Sequence, residues 1–220
     1  MAWFALGSVS WMASEYAIHR FVGHGKLRHP AKGWDRLTPS GLASAFNVEH
    51  VAHHTNTQYF APTSHKLAAA SAVIPALGLA LTPFVGPRRA LSYGVGFAAT
   101  YGAYEFIHRR IHTHAPRNAF GRWARRHHLA HHYKSPRTNH GVTSPIFDRL
   151  FGTHVPADKV KVPWQSPPLW LVDPATGDVR GEYRSEYELS RKRGGAAADE
   201  TASPPVVDPA AARDASTGAH

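Results

Sequence analysis

With 220 residues the chain has material for one domain with a sizeable core, or for a few membrane helices under a water-facing cap, and no room for a second catalytic domain. It contains no cysteine, which excludes a disulfide framework, thiolate ligation and an iron-sulfur cluster, so any metal must sit on nitrogen or oxygen. The formal charge of +10 suits an anionic partner, nucleic acid or lipid headgroup alike, and the 17 histidines outnumber the 15 Asp and Glu residues combined.

From Ala2 to Ile18 the chain is mostly apolar, with Trp3, Phe4, Leu6, Val9, Trp11 and Met12 interrupted by serines and Glu15, and it predicts a first helix long enough to enter a bilayer. Neither a basic start nor a small-residue cleavage site marks it as a secretory signal, so it reads as retained. The run Leu67 to Gly86 matches the ~20 residues of a spanning helix, carries no charge, and holds Pro75 and Pro83, which membrane helices tolerate. After the turn Gly86-Pro87-Arg88-Arg89 a second apolar stretch runs from Ala90 to Ile107 with Glu105 as its only charge, and the two predict a helical hairpin. A short amphipathic piece, Ile146 to Phe151, suits a membrane surface. Beyond Arg193 the composition is that of a disordered tail.

Basic residues gather around the polar segments: Arg20, Lys26, Arg28, Lys32, Arg36 and Lys66, then Arg109, Arg110, Arg117, Arg122, Arg125 and Arg126. The positive-inside rule makes that side cytoplasmic, twelve cations against Arg88 and Arg89 at the opposite turn. Nucleic acid is not an expected partner, since no reading motif accompanies the charge.

The same polar segments carry four histidine groups: HRFVGH with His19 and His24, HVAHH with His50, His53 and His54, HRRIH with His108 and His112, and HLAHH with His128, His131 and His132. A random chain of this composition would contain the pattern HxxHH about 0.1 times, and here it occurs twice. Positions i, i+3 and i+4 share a helix face, so each triplet is expected to converge on one site. His19 and His24, five apart, share no face of a regular helix, which predicts that the helix ends or distorts there, with Gly23 permitting it. Imidazole suits iron, zinc, copper or nickel, and ten such ligands exceed the four to six that one metal takes, so two metals are expected. Glu15 lies four residues before His19 and Glu105 three before His108, where each is a candidate to accept a ligand's spare ring N-H. His29, His65, His154 and His220 read as surface residues; His127 faces away from the last group, and His140 stands in a loop within reach of the site.

In this order, with the apolar hairpin between the second and third, the four groups resemble the fatty acid hydroxylase superfamily, which includes fatty acid 2-hydroxylases, sterol desaturases and carotenoid hydroxylases. EYAIHRFVGHG, from Glu15 to Gly25, looks like that family's first motif, and HHLAHHYKSPRTNHGVTSPIFDRLFGT, from His127 to Thr153, like its last motif and the segment after it. The resemblance implies an all-α membrane bundle of about three membrane helices with a histidine-rich cytoplasmic cap. Residues 1–155 would form the catalytic domain, 156–193 a peripheral extension and 194–220 the tail. It implies ligand roles for the ten histidines, and a part in shaping the site's lid for Asn139, Gly141 and Asp148; Asn139 and His140 also join Glu15 and Glu105 as candidates supporting the ligands.

The implied cofactor is a pair of non-heme iron ions, with zinc acceptable to the same ligands. The implied reaction is hydroxylation or desaturation of a lipid C-H bond, most readily in a fatty acyl chain, with dioxygen and electrons from a cytochrome b5- or ferredoxin-like donor, in an inner membrane or endoplasmic reticulum. A carotenoid or sterol substrate is the alternative within the family. A membrane metal-binding or transport protein is the alternative outside it.

Overall fold

The computed structural model describes residues 1–26 and 28–190. Its helices are α1 (Ala2–Ala17), α2 (Pro39–Thr55), α3 (Thr63–Val85), α4 (Pro87–Thr113), α5 (Ala119–Tyr133) and the short α6 (Ile146–Leu150). The expected hairpin is α3 and α4, joined at Gly86, whose φ of 80° belongs to the region that favours glycine. α4 is the central element, with α1 packed along one side and α3 along another.

Glycines set how closely α1 and α4 approach. A methyl group on Gly7 would lie 2.0 Å from the Tyr93 carbonyl oxygen, and one on Gly96 would lie 2.1 Å from that of Phe4. Small residues at a crossing let backbones touch, the packing mode of helices in lipid. In the polar half, Thr38 caps α2 by accepting from the Gly41 amide at 3.1 Å, and Asn118 caps α5 by accepting from the Gly121 amide at 2.7 Å.

Among the described residues α3 is the one helix long and apolar enough to cross a membrane, and none of its residues is buried within the protein. α1, with 16 residues, falls short of the ~20 that a span requires. α4 is longer, but Tyr93, Gly94, Gly96, Tyr101, Gly102 and Tyr104 dilute its apolar character. On length and composition the expectation of about three membrane helices is therefore met by one.

The all-α expectation is corrected after residue 155. Val160–Pro163 (β1) and Tyr187–Ser190 (β2) pair in parallel, Val160 opposite Tyr187. Val160 and Val162 are buried while Lys161 between them is exposed, the period of two that a strand with one covered face produces. With Trp170, Leu171, Val179, Tyr183 and Tyr187 they build a core against Leu129 and Ala130 of α5. The expected tail, residues 194–220 with His220, lies outside the described residues.

Candidate metal centre

The ten predicted histidines gather into two groups of five. His19, His24, His50, His54 and His131 form one, and His53, His108, His112, His128 and His132 the other, the ligand atoms of each lying within 4.8 Å of one another. Each HxxHH triplet is divided rather than convergent, which corrects the expectation of three imidazoles on one site. In α2, His50 and His54 go to the first group and His53 to the second; in α5, His128 and His132 go to the second and His131 to the first. The i and i+4 members lie nearly one above the other, whereas the i+3 member is rotated the other way by ~60° (3.6 residues per turn), enough to point at a neighbouring centre. Each group is thus two pairs plus a single imidazole lent by the helix that serves the other.

Three of the four pairs sit four apart on regular helix. The fourth, His19 and His24, sits on a π-turn spanning Ile18–Gly23, closed by the His24 amide donating to the His19 carbonyl at 3.1 Å. Widening the turn to an i to i+5 bond brings residues five apart onto one side, the distortion that the spacing predicts. Gly23 lies against His50, and a methyl group there would stand 2.8 Å from its ring.

Ring orientation is fixed by backbone carbonyls. Nδ1 of His53 donates to the Tyr59 carbonyl at 2.7 Å, Nδ1 of His131 to that of Thr138 at 2.7 Å, and Nδ1 of His19 to that of His140 at 2.5 Å. A carbonyl only accepts, so each Nδ1 carries the hydrogen and each Nε2 keeps its lone pair for a metal. The remaining Nε2 atoms face one another: His24 to His131 and to His50 at 2.9 Å, His108 to His53 at 3.1 Å, and His128 to His112 and to His132 at 3.0 Å. Nε2 of His19 and of His54 is buried with no protein partner. Converging lone pairs and orphaned buried nitrogens fit a cation in each group.

Burial, with neighbouring imidazoles adding to it, holds the rings neutral. It pushes His24 down to about 4 and His54 to about 3; in His53 burial outweighs the Tyr59 hydrogen bond and leaves it at about 4. His50, His112, His128, His131 and His132 are lowered further, burial again first among the causes. Neutral imidazole is the form that ligates.

The segment after the last histidines braces the first group. Asp148 is fully buried and accepts from the amides of His140 and Gly141 and from the Thr153 hydroxyl, each at 2.8 Å. Burial alone would raise its carboxyl, but His127 at 3.5 Å and these donors outweigh it and hold it at about 2. Asn139 adopts a φ of 58° and exchanges two 2.8 Å hydrogen bonds with the backbone of Val155. The result is a rigid loop that presents the His140 carbonyl to His19. The His140 ring is buried beside His19, His24 and His131, with both nitrogens unpartnered.

The two glutamates are placed elsewhere than expected. Glu15 receives the Val142 amide at 2.5 Å and the Thr143 hydroxyl at 2.9 Å, tying α1 to the loop, while the His19 ring turns to His140. Glu105 meets Lys66 at 2.5 Å and carries no hydrogen bond to His108. Sequence spacing places a residue on a helix face without fixing which neighbour satisfies it. His29 and His65 are exposed, as expected, and His154 is half-buried, its ring stacked 5.5 Å from that of His127. A cleft of about 290 Å³ is lined by His24, His50 and His54 of the first group and reaches the second at His132.

Residues 4–153 match the fatty acid hydroxylase family model. A dihydroceramide fatty acyl 2-hydroxylase of Arabidopsis thaliana is 29% identical over 157 residues, 68% of this chain and 59% of that protein. A ceramide very long chain fatty acid hydroxylase of Schizosaccharomyces pombe is 27% identical over 162 residues, 71% of this chain and 43% of that one. The chain thus spans about half the length of the curated relatives it matches. A solved structure of full-length scs7p, in which only the hydroxylase domain is visible, superposes with a TM-score of 0.52 at 27% identity, covering 72% of this chain and 57% of the other.

Proposed function

This chain belongs to the fatty acid hydroxylase family, and from that premise we propose that it is a membrane-bound oxygenase that hydroxylates a fatty acyl chain, with the ten histidines holding two iron ions. The observation that carries the reading is the division of the ten imidazoles into two convergent groups of five, next to a helical hairpin whose first arm, α3, is long and apolar enough to cross a membrane. The name of the Arabidopsis relative specifies carbon 2 of the acyl chain, which supports that carbon as the target.

Bound iron would supply the oxidising power needed to take hydrogen from an unactivated C-H bond. The protein's residues supply the rest. The carbonyls of Tyr59, Thr138 and His140 hold three ring N-H groups and so aim the opposite nitrogens, while burial of the imidazoles keeps them unprotonated and limits water at the site. The reaction consumes one dioxygen, two electrons and two protons and releases an alcohol and water. An external donor of the cytochrome b5 or ferredoxin type supplies the electrons, and the cleft gives dioxygen access to the first group and, at His132, to the second.

The membrane assignment is supported by side chains that face outward with no protein to cover them: Leu79 and Phe84 on α3, Leu91, Val95 and Phe106 on α4, Phe4, Leu6 and Val9 on α1. In water such exposed apolar side chains would be a liability, whereas in lipid they are at home, and the same helices would offer an acyl chain a route to the histidines. The basic side then faces the cytoplasm, although Arg125 is buried inside the fold and the comparison becomes eleven cations against two.

The test is to purify the chain in native lipid, count metals, supply reductant and dioxygen, and follow acyl products by mass spectrometry. Two irons per chain with a 2-hydroxylated acyl product are expected. A single metal, or metal movement across the membrane without oxidised lipid, contradicts the proposal.

A further inference from the structure

Residues 154–190 lie beyond the family match, which ends at residue 153, yet they pack on α5 and reach the end of α4, the two helices that carry most of the second histidine group. β1, β2 and the turns between them cover Leu129 and Ala130, the residues of α5 that stand between His128 and His131. Arg122 of α5 reaches into the same segment, its Nε donating to Glu186 at 3.0 Å and its terminal nitrogen to the Glu182 carbonyl at 2.8 Å.

Trp170 extends this grip to α4. Its ring is 7% exposed, packs edge-on against Tyr183 and Tyr187, and donates Nε1-H to the carbonyl of Ile111 at 3.0 Å. That carbonyl is among the last four of α4, which a helix leaves without internal partners, and it immediately precedes His112. Arg125 of α5, stacked over the Trp170 ring at 5.5 Å, takes the neighbouring carbonyls of Arg110 at 2.8 Å and His114 at 2.6 Å. Among the described residues α4 and α5 also meet around Ile111 and Ala124 and through their histidine rings, His108 lying 4.7 Å and His112 5.0 Å from His128.

We infer that this segment is a clasp that positions the second metal group, with Trp170 its positioning residue: by fixing the end of α4 against α5, it sets His112 and His128 at the 3.0 Å separation from which both face one ion. The inference rests on the metal-centre reading proposed above. Four of the five imidazoles of the second group lie on α4 and α5, whereas the first group draws only His131 from them, so loosening the clasp acts mainly on one group.

The test titrates the metal-free full-length chain with Co2+ and reads affinity and the ligand-field spectrum of each site. His19→Ala and His108→Ala serve as references that mark the spectra of the first and second groups. In Trp170→Ala the second group should bind at least about tenfold more weakly, the range known for removing groups that orient ligands, and the surviving spectrum should match that of His108→Ala. Trp170→Phe, which keeps the ring and loses the N-H donor, should shift the same site severalfold and carries the test if the alanine variant does not fold. Leu169→Ala, at a residue 75% exposed beside it, should change neither site. Unaltered binding in Trp170→Phe, or equal weakening of both groups, overturns the inference. A parent chain that binds fewer than two Co2+ overturns the metal-centre reading instead.

Discussion

The two histidine groups solve one problem by different means. The second is assembled from regular helix: His108 with His112 and His128 with His132 are four apart, and the helices bearing them are held by packing and by carbonyl capping from behind. The first depends on a distorted helix end and on a loop, since His19 reaches its partners only through the π-turn and is oriented by a carbonyl that Asp148 holds in place. Regular spacing lets local helix geometry place the imidazoles, and irregular spacing shifts that work to long-range hydrogen bonds.

The largest expected effect comes from the exchange of single imidazoles between the groups. His53→Ala, although on α2 between two ligands of the first group, should abolish metal at the second and match His108→Ala rather than His50→Ala, with loss of turnover beyond 100-fold; metal analysis and Co2+ spectra of the three variants decide it. Asp148→Ala comes next. It strips partners from two buried amides and a hydroxyl, should destabilise the chain by about 3 kcal/mol or more in denaturant titration, and should weaken the first group before the second.

Acid supplies a third comparison. His24 and His53 titrate at about 4 in the fold and near 6.5 once unfolded, so the unfolded chain binds protons first as pH falls. The metal-free chain should therefore lose stability progressively from pH 6.5 to 4. Asp148 works the same way lower down: its carboxyl is held at about 2 against an ordinary 3.8, so its contribution is complete above pH 4 and lost between 4 and 2. Denaturation midpoints across pH 7 to 3 check the slope, and a flat profile contradicts burial as the cause of neutrality. The smallest effect is assigned to Glu105→Gln, which should release Lys66 and leave Co2+ affinity at both groups within about twofold, because the carboxylate does not orient His108.

Much of this centre is legible in the chain itself because histidine spacing is a local quantity. The i to i+4 pairs and the awkward five-residue interval at His19 follow from helix periodicity, and the α3–α4 hairpin from two apolar runs separated by the turn at Gly86 and Pro87. Which group each imidazole joins is not local: it depends on α2 and α5 lying between the two centres, so that His53 and His131 each point across. The supporting partners are hidden for the same reason. Main-chain carbonyls at Tyr59, Thr138 and His140 leave no compositional trace, and Trp170 and Arg125 look like ordinary residues until α4 ends beside them. Val160 and Val162 do carry a strand's alternation, but four residues are too few to separate from an extended linker without the partner strand 27 positions later.

Two separate five-imidazole groups should hold two separate metal ions. Anomalous scattering from crystals of the iron-loaded chain tests it most directly. Two iron peaks per chain are expected, one ligated by His19, His24, His50, His54 and His131, the other by His53, His108, His112, His128 and His132. A single peak, or a peak ligated by all three histidines of one HxxHH triplet, would contradict it.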